Sequence, residues 1–401
     1  MPEVAQSGYF ENVLVYSLII FLIAGIIAFA STPLIKTFAY KVGAIDVPKD
    51  SRRMHNVPIP RLGGLAIFLG FIFSMLLLGP LDGQMRGILI GAVIIVVLGV
   101  IDDIVPLKAW IKLIVQIIAA LVPVLNGVVI ERISNFNMFS NEAYINLGVL
   151  AIPVTVMWIV GITNSVNLID GLDGLAVGVS SIASISMFVV ATLVSEPATA
   201  VVMAALAGSC IGFLPYNMNP AKIFMGDTGA TFLGFILATV SIQGLFKFYA
   251  IISFAVPFLI MGLPIFDTLF TIVRRIARKQ SPMHADRGHV HHRLIDMGFN
   301  QKQSVAILYT ISALLGVTAV VLTTSGELKA MILIAAIIVC VLAGVQILKM
   351  ASEHQAKIEA EKEHTENAGN KTDDAAEDNA AGESGNAENT ADPAGQNEKE
   401  S

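Results

Sequence analysis

The chain has 401 residues, of which 55% are hydrophobic and only 14% charged, against about a quarter charged in a soluble globular protein. Its mean hydropathy of +0.73 excludes an ordinary water-soluble enzyme and points to an all-α integral membrane protein. The net charge of −6 is unevenly spread: residues 351–401 hold 14 acidic residues against 4 lysines, while the rest holds 17 acidic against 21 basic.

A helix crossing roughly 30 Å of hydrocarbon needs about 20 apolar residues. Eleven stretches qualify as predicted spans: 13–32, 63–81, 87–101, 110–128, 147–164, 173–194, 198–215, 229–246, 249–273, 304–324 and 330–349. None alternates apolar with polar residues as a membrane β-barrel strand does. Residues 1–12 contain no Lys or Arg, so the first stretch is expected to be an uncleaved span and not a signal peptide. Cys210 and Cys340 both sit inside apolar runs, which argues against a disulfide framework or a thiolate metal site. Residues 351–401 lack any aromatic residue and cannot bury enough apolar surface to fold, so a disordered acidic tail follows a membrane domain of residues 1–350.

Orientation follows from the basic residues in the loops. Lys36, Lys41, Lys49, Arg52, Arg53 and Arg61 follow the first span, and Lys108 and Lys222 follow the third and seventh. Arg274, Arg275, Arg278, Lys279, Arg287, Arg293 and Lys302 follow the ninth. The opposite face has only Arg86, Arg132, Lys247 and Lys329. The expectation is an N-terminus outside, a cytoplasmic C-terminus, and a cleft on the cytoplasmic face, because the same loops hold the polar clusters.

Asp102-Asp103 closes the third span. Adjacent carboxylates repel unless a cation or proton lies between them, and Mg²⁺ favours carboxylates together with substrate phosphates; a solvated helix end is the structural alternative. Asn164, Asn167 and Asp170 share one helix face at i, i+3 and i+6, and Gly171 and Gly174 allow a turn that returns Asp173 to the same place. Asn217 opens the Asn217–Gly229 stretch, in which Asp227 precedes the eighth span; there backbone N–H groups can hold an anion, or Thr228 can serve as N-cap. Asp267 reads equally as a site member or as a packing residue. His284, Arg287, His289, His291, His292 and Arg293 form a loop suited to phosphates or sugar hydroxyls; no Cys or H-x-x-x-H pair supports zinc. Pro58-Ile-Pro60-Arg61-Leu-Gly63-Gly64 makes an extended approach to the second span, and Gly87 and Gly91 mark helix packing.

Four such clusters on one face suit phosphoryl transfer between a cytosolic nucleotide-activated compound and a lipid. The Asp102-Asp103 pair, Asn164-x-x-Asn167-x-x-Asp170-Gly-x-Asp173-Gly174, Phe224-Met-Gly226-Asp227-Thr-Gly229 and His289-x-His291-His292 together resemble the polyprenyl-phosphate N-acetylhexosamine-1-phosphate transferases of glycosyl transferase family 4. The resemblance runs over about residues 10–350. The peptidoglycan branch, phospho-N-acetylmuramoyl-pentapeptide transferase, tends to carry three consecutive histidines and Pro-Thr-Met-Gly-Gly before the second span. His-Val-His-His and Pro-Arg-Leu-Gly-Gly are similar instead to the UDP-GlcNAc branch, and the Arg287–Arg293 form to teichoic acid initiators.

The resemblance implies transfer of GlcNAc-1-phosphate from UDP-GlcNAc to undecaprenyl phosphate, with UMP released. It implies Mg²⁺, or Mn²⁺ in its place, on Asn167 and Asp227, with Asp102, Asp103 and Lys112 as the catalytic group. Asn164, Asp170, Asp173, Asn217, Arg287, His289, His291 and His292 would bind substrate. The lipid bilayer of the bacterial plasma membrane is the expected partner surface, a homodimer is compatible, and no nucleic acid is expected. The pentapeptide transferase of peptidoglycan synthesis is the alternative within the family, and a transporter is the alternative from another class, but transporters set their ionisable residues near the bilayer midplane.

Overall fold

A computed structural model describes residues 3–47, 57–134, 144–244, 250–279 and 288–325, with Lys329, Met331 and Ala335. All of these fall in one compact unit, residues 1–339. The eleventh predicted span lies outside the described residues except for Met331 and Ala335, both helical, and the tail lies outside them altogether.

The other ten predicted spans all fall on helices. In chain order these are α1 (Glu3–Val42), α2 (Gly64–Leu78), α3 (Gly83–Ile104), α4 (Ala109–Leu125), α5 (Ala151–Leu168), α6 (Leu175–Leu193), α7 (Pro197–Asn217), α8 (Gly226–Gly244), α9 (Ala250–Ile260), α10 (Gly262–Ala277), α11 (Val290–Asp296) and α12 (Gln301–Ser325). Among the described residues, six helices are long and apolar enough to cross a membrane, and α2 and α4 are shorter apolar helices.

Two predicted spans change form. The third, expected to be short, is a full 22-residue helix whose start is fixed by Asp82, whose side chain accepts from the Met85 N–H at 2.7 Å. The ninth is two helices, α9 and α10, broken at Met261. Pro264 has no N–H to give the carbonyl four residues back, which removes one bond of the ladder at this break.

Two short antiparallel pairs were not expected from the sequence. Strand β1 (Ile45–Asp46) pairs with β2 (Ile59–Pro60), and β3 (Arg132–Ser134) with β4 (Tyr144–Asn146).

Helix α8 is the centre of the bundle. Every residue from Thr228 to Gly244 is buried, and α8 packs against α2, α3, α5, α6 and α7. A helix apolar on all sides belongs inside. Phe232 meets Phe68 and Phe71 of α2 edge-on at 5.5 Å. Gly91 of α3 lets Phe235 approach so closely that a Cβ there would lie 2.6 Å from the ring, which bears out the packing reading of that glycine. The candidate site is built where this central helix begins.

Candidate active site

The start of α8 is held by two other segments. The backbone before α2 zips onto the backbone before α8: the Phe224 N–H donates to Pro60 O at 2.8 Å, the Gly63 N–H to Phe224 O at 2.9 Å, and the Gly64 N–H to Met225 O at 2.8 Å. Such contact needs bare backbone. A Cβ on Gly64 would lie 2.0 Å from the Gly229 nitrogen, and one on Gly99 of α3 would lie 2.4 Å from the Thr228 Cα. Gly226 turns the chain into α8 with φ +71°, a conformation that few residues other than glycine adopt.

The anion at the α8 N-terminus is a side chain of the protein, Asp103. Its Oδ1 accepts from the Asp227 N–H at 3.0 Å, and its Oδ2 accepts from the Thr228 N–H at 3.0 Å and the Thr228 hydroxyl at 2.7 Å. A helix start carries unpaired N–H groups and partial positive charge, and Asp103 satisfies both. Thr228 is therefore a donor to the cap and not the cap itself.

Asp102 faces the other way. Its Oδ1 accepts from the Leu107 N–H at 2.7 Å, which shapes the turn between α3 and α4. Lys112, one turn into α4, returns its Nζ to Asp102 Oδ2 at 2.9 Å and reaches Asp227 Oδ2, also at 2.9 Å. One ammonium thus bridges two carboxylates from helices far apart in sequence.

Asn164, Asn167 and Asp170 separate in role although they share a helix face. The Asn164 amide donates to Gln116 Oε1 at 2.8 Å, tying α5 to α4. Among the described residues, the side chains of Asn167 and Asp170 make no hydrogen bond, and both keep some exposed surface. Burial, then the negative charges of Asp227, Asp103 and Asp173, push Asp170 up to about 8. Asp173 instead accepts from the Asn219 amide at 2.9 Å and the Ala221 N–H at 3.0 Å. Asn217 accepts from the Gly174 N–H at 3.2 Å and donates to Ile223 O at 3.0 Å. Asp173 and Asn217 thus brace the loop that leads to α8, and the polar atoms of Asn217 are turned inward.

The histidine segment closes on the turn after α5. His289 Nδ1 bonds Asp267 Oδ2 at 2.7 Å, and the Val290 N–H donates to Asp267 Oδ1 at 2.8 Å. Asp267 therefore orients the histidine segment. His289 stacks on His291 with centroids 5.7 Å apart, and His291 meets His292 at 4.3 Å. A Cβ on Gly171 would lie 2.2 Å from His291 Nε2, so that glycine is the seat of the imidazole. Burial, then neighbouring His292, lowers His291 to about 3, so it packs as a neutral ring. Arg287 and His284 lie outside the described residues.

Residues 85–245 match the sequence profile of glycosyl transferase family 4. The chain is 42% identical over 295 residues to the probable undecaprenyl-phosphate N-acetylglucosaminyl 1-phosphate transferase of Bacillus subtilis, covering 73% of this chain and 81% of that protein. The chain belongs to glycosyl transferase family 4. It is a phosphoglycosyl transferase and a multi-pass membrane protein. The chain is 34% identical over 325 residues to the decaprenyl-phosphate N-acetylglucosaminephosphotransferase of Mycobacterium tuberculosis, covering 72% of this chain and 78% of that protein. The phospho-N-acetylmuramoyl-pentapeptide-transferase of Heliobacterium modesticaldum is 35% identical over 205 residues, covering 49% of this chain and 63% of that protein.

The donor set in this family 4 chain suits a hard divalent cation. Asn167, Asp170 and Asp227 offer oxygens; burial, and after it the neighbouring carboxylates, raise the pKa of Asp170. Among the described residues no group of three or more His, Cys, Asp or Glu is placed to hold a metal. A cation here would draw its other ligands from substrate phosphates and water, as Mg²⁺ commonly does.

Several partners in the site escaped the sequence reading. Gln116 follows Lys112 by four residues in an otherwise apolar helix, and that spacing was a usable signal. Asn219, Gln301 (whose side chain accepts from Asn219 at 2.7 Å) and Tyr309 (whose hydroxyl donates to Gly174 O at 2.6 Å) had no such signal.

Proposed function

We propose that this transferase moves GlcNAc-1-phosphate from UDP-GlcNAc to undecaprenyl phosphate in the bacterial plasma membrane, as the first membrane step of a cell-envelope polymer, wall teichoic acid. A lipid phosphate oxygen attacks the phosphorus that bears the sugar. A new P–O bond forms, the bond to the UMP phosphate breaks, and UMP leaves with the electron pair. The observation that carries this reading is the Lys112 ammonium held 2.9 Å from both Asp102 and Asp227 at the head of the central helix. A fixed cation beside carboxylates that can take a metal suits an anionic attack on a diphosphate, where positioning and charge neutralisation dominate.

Asp227 and Asn167 would hold Mg²⁺, with Asp170 beside them. When bound, the ion supplies charge neutralisation to the donor diphosphate. Lys112 orients the phosphates, and Asp102 holds Lys112 in place. His289, fixed by Asp267, presents Nε2 to the sugar or diphosphate. The loops richest in basic residues, Lys36–Arg61 and Arg274–Lys302, favour a cytoplasmic cleft. The GlcNAc donor is favoured over the pentapeptide donor because this chain is 42% identical to the Bacillus relative and 35% identical to the Heliobacterium one.

The test is UMP release by protein purified in detergent with undecaprenyl phosphate and Mg²⁺. UMP is expected from UDP-GlcNAc, to be lost on adding EDTA, and not from UDP-MurNAc-pentapeptide. Release from the pentapeptide donor alone would move the chain to the peptidoglycan branch.

Asp102 gives a second prediction. A phosphate monoester has a second pKa of about 6, so the lipid nucleophile is largely dianionic at neutral pH and needs no base. Asp102→Asn is expected to lower the rate about tenfold to a hundredfold, equally at pH 6 and pH 8, because it loosens Lys112. Full recovery at pH 8 would instead establish Asp102 as a base.

A further inference from the structure

Arg61 has no role in the reading above, yet it reaches the centre of the site. Its Nε donates to Asp103 Oδ1 at 3.2 Å, its Nη2 lies 3.2 Å from the same oxygen, and its Nη1 lies 3.9 Å from Asp46. The Asp103 side chain is wholly inaccessible. Its two oxygens already take the Asp227 N–H, the Thr228 N–H and the Thr228 hydroxyl. With Arg61 added, no surface of Asp103 is left to meet a substrate or a metal. A buried carboxylate without a counter-charge is strongly destabilising, and Arg61 is the cation that touches it.

The backbone supports the same assignment. Arg61 sits between Pro60 and Gly63, the residues that zip onto Phe224. The Arg61 carbonyl and the Asp103 carboxylate both press on Gly226, where a Cβ would lie 2.8 and 2.5 Å from them. Side chain and main chain of one short segment thus converge on the first turn of α8.

We propose that Arg61 and Asp103 form a positioning latch that fixes the first turn of α8, and with it Asp227, against Lys112. Neither residue touches substrate. The family pair Asp102-Asp103 then divides its work: Asp102 holds the lysine, and Asp103 holds the helix that presents Asp227. A misplacement of about 1 Å can cost about a hundredfold in rate, so a latch remote from the reacting atoms can still control kcat. The kinetic consequence rests on the proposed transferase reaction, while the structural one does not.

The experiment uses the full chain in detergent, with Arg61→Met, Arg61→Lys, Asp103→Asn and the Arg61→Met/Asp103→Asn double variant. Two quantities are read: deuterium uptake of the 223–231 segment, and the kinetics of UMP release. Arg61→Met is expected to speed uptake in that segment and to cut kcat about tenfold or more, with KM for UDP-GlcNAc within about twofold. Arg61→Lys restores the charge without the fork and should fall between wild type and Arg61→Met in both readouts. The double variant should be no slower than Asp103→Asn, because the two residues act as one unit. A raised KM with unchanged kcat and unchanged uptake would mean that Arg61 contacts the donor directly and would overturn the latch. Multiplying losses in the double variant would overturn it too. If Arg61→Met does not fold, Arg61→Lys with wild-type uptake and kcat overturns it, and intermediate values support it. If wild type itself releases no UMP, the transferase reading has failed and the uptake results alone decide the latch.

Discussion

Lys112→Met is expected to lower UMP release by about a hundredfold to a thousandfold, the scale seen when one preorganised electrostatic contact to a transition state is lost. Methionine keeps the length and apolar stem of lysine in α4, so the helix should persist. What disappears is the ammonium 2.9 Å from both Asp102 and Asp227. Lys112 is 28% and Asp227 22% exposed, so solvent screens part of the lost pairing and the cost to stability should be modest. The Asp102 side chain is only 6% exposed, so water cannot replace the lysine well there. The measurement is kcat alongside the thermal midpoint in detergent. A large loss of kcat with a modest shift in midpoint fits a site residue; a collapsed midpoint with near-normal kcat below it would make Lys112 a structural strut.

Asp227→Asn should cost about a thousandfold or more, the largest effect predicted for this chain, since electrostatic contributions of this kind dominate catalysis. The substitution preserves the backbone N–H groups of residues 227 and 228 that Asp103 accepts, so the start of α8 is expected to stay capped. It removes the charge that Lys112 meets and an oxygen donor suited to a divalent ion. Raising Mg²⁺ should not restore the rate, because the carboxylate both holds the ion and sets Lys112. Complete rescue at high Mg²⁺ would show that Asp227 only gathers the ion by charge. Binding of Mn²⁺ followed by its magnetic resonance signal gives a readout independent of turnover, and it should weaken in Asp227→Asn.

These predictions depend on contacts between residues that composition could never have paired. The sequence did separate the molecule into apolar helices and polar ends. Runs such as 198–215 and 304–324 are long, apolar and bounded, and a backbone in lipid has few ways to satisfy its N–H and C=O groups other than as a helix. The break at Met261 was also latent there, in Pro264. The polar clusters were legible because polar residues that end a membrane helix commonly face a cavity or a partner.

Which member of each cluster faces the chemistry was not legible. Asp102 and Asp103 are adjacent and identical in type, yet one clamps a lysine and the other caps a helix more than a hundred residues away. Adjacent residues on a helix point about 100° apart, so their partners depend on which helices lie on either side. Asn164 and Asn167 share a face, yet only Asn164 meets Gln116, because only its turn faces α4. The sequence by itself determined a helical membrane transferase of family 4 with its polar residues at helix ends. The tertiary structure decided which of those residues hold the site together and which remain available to act, because that choice is made by long-range packing around α8 and by no local preference of the chain.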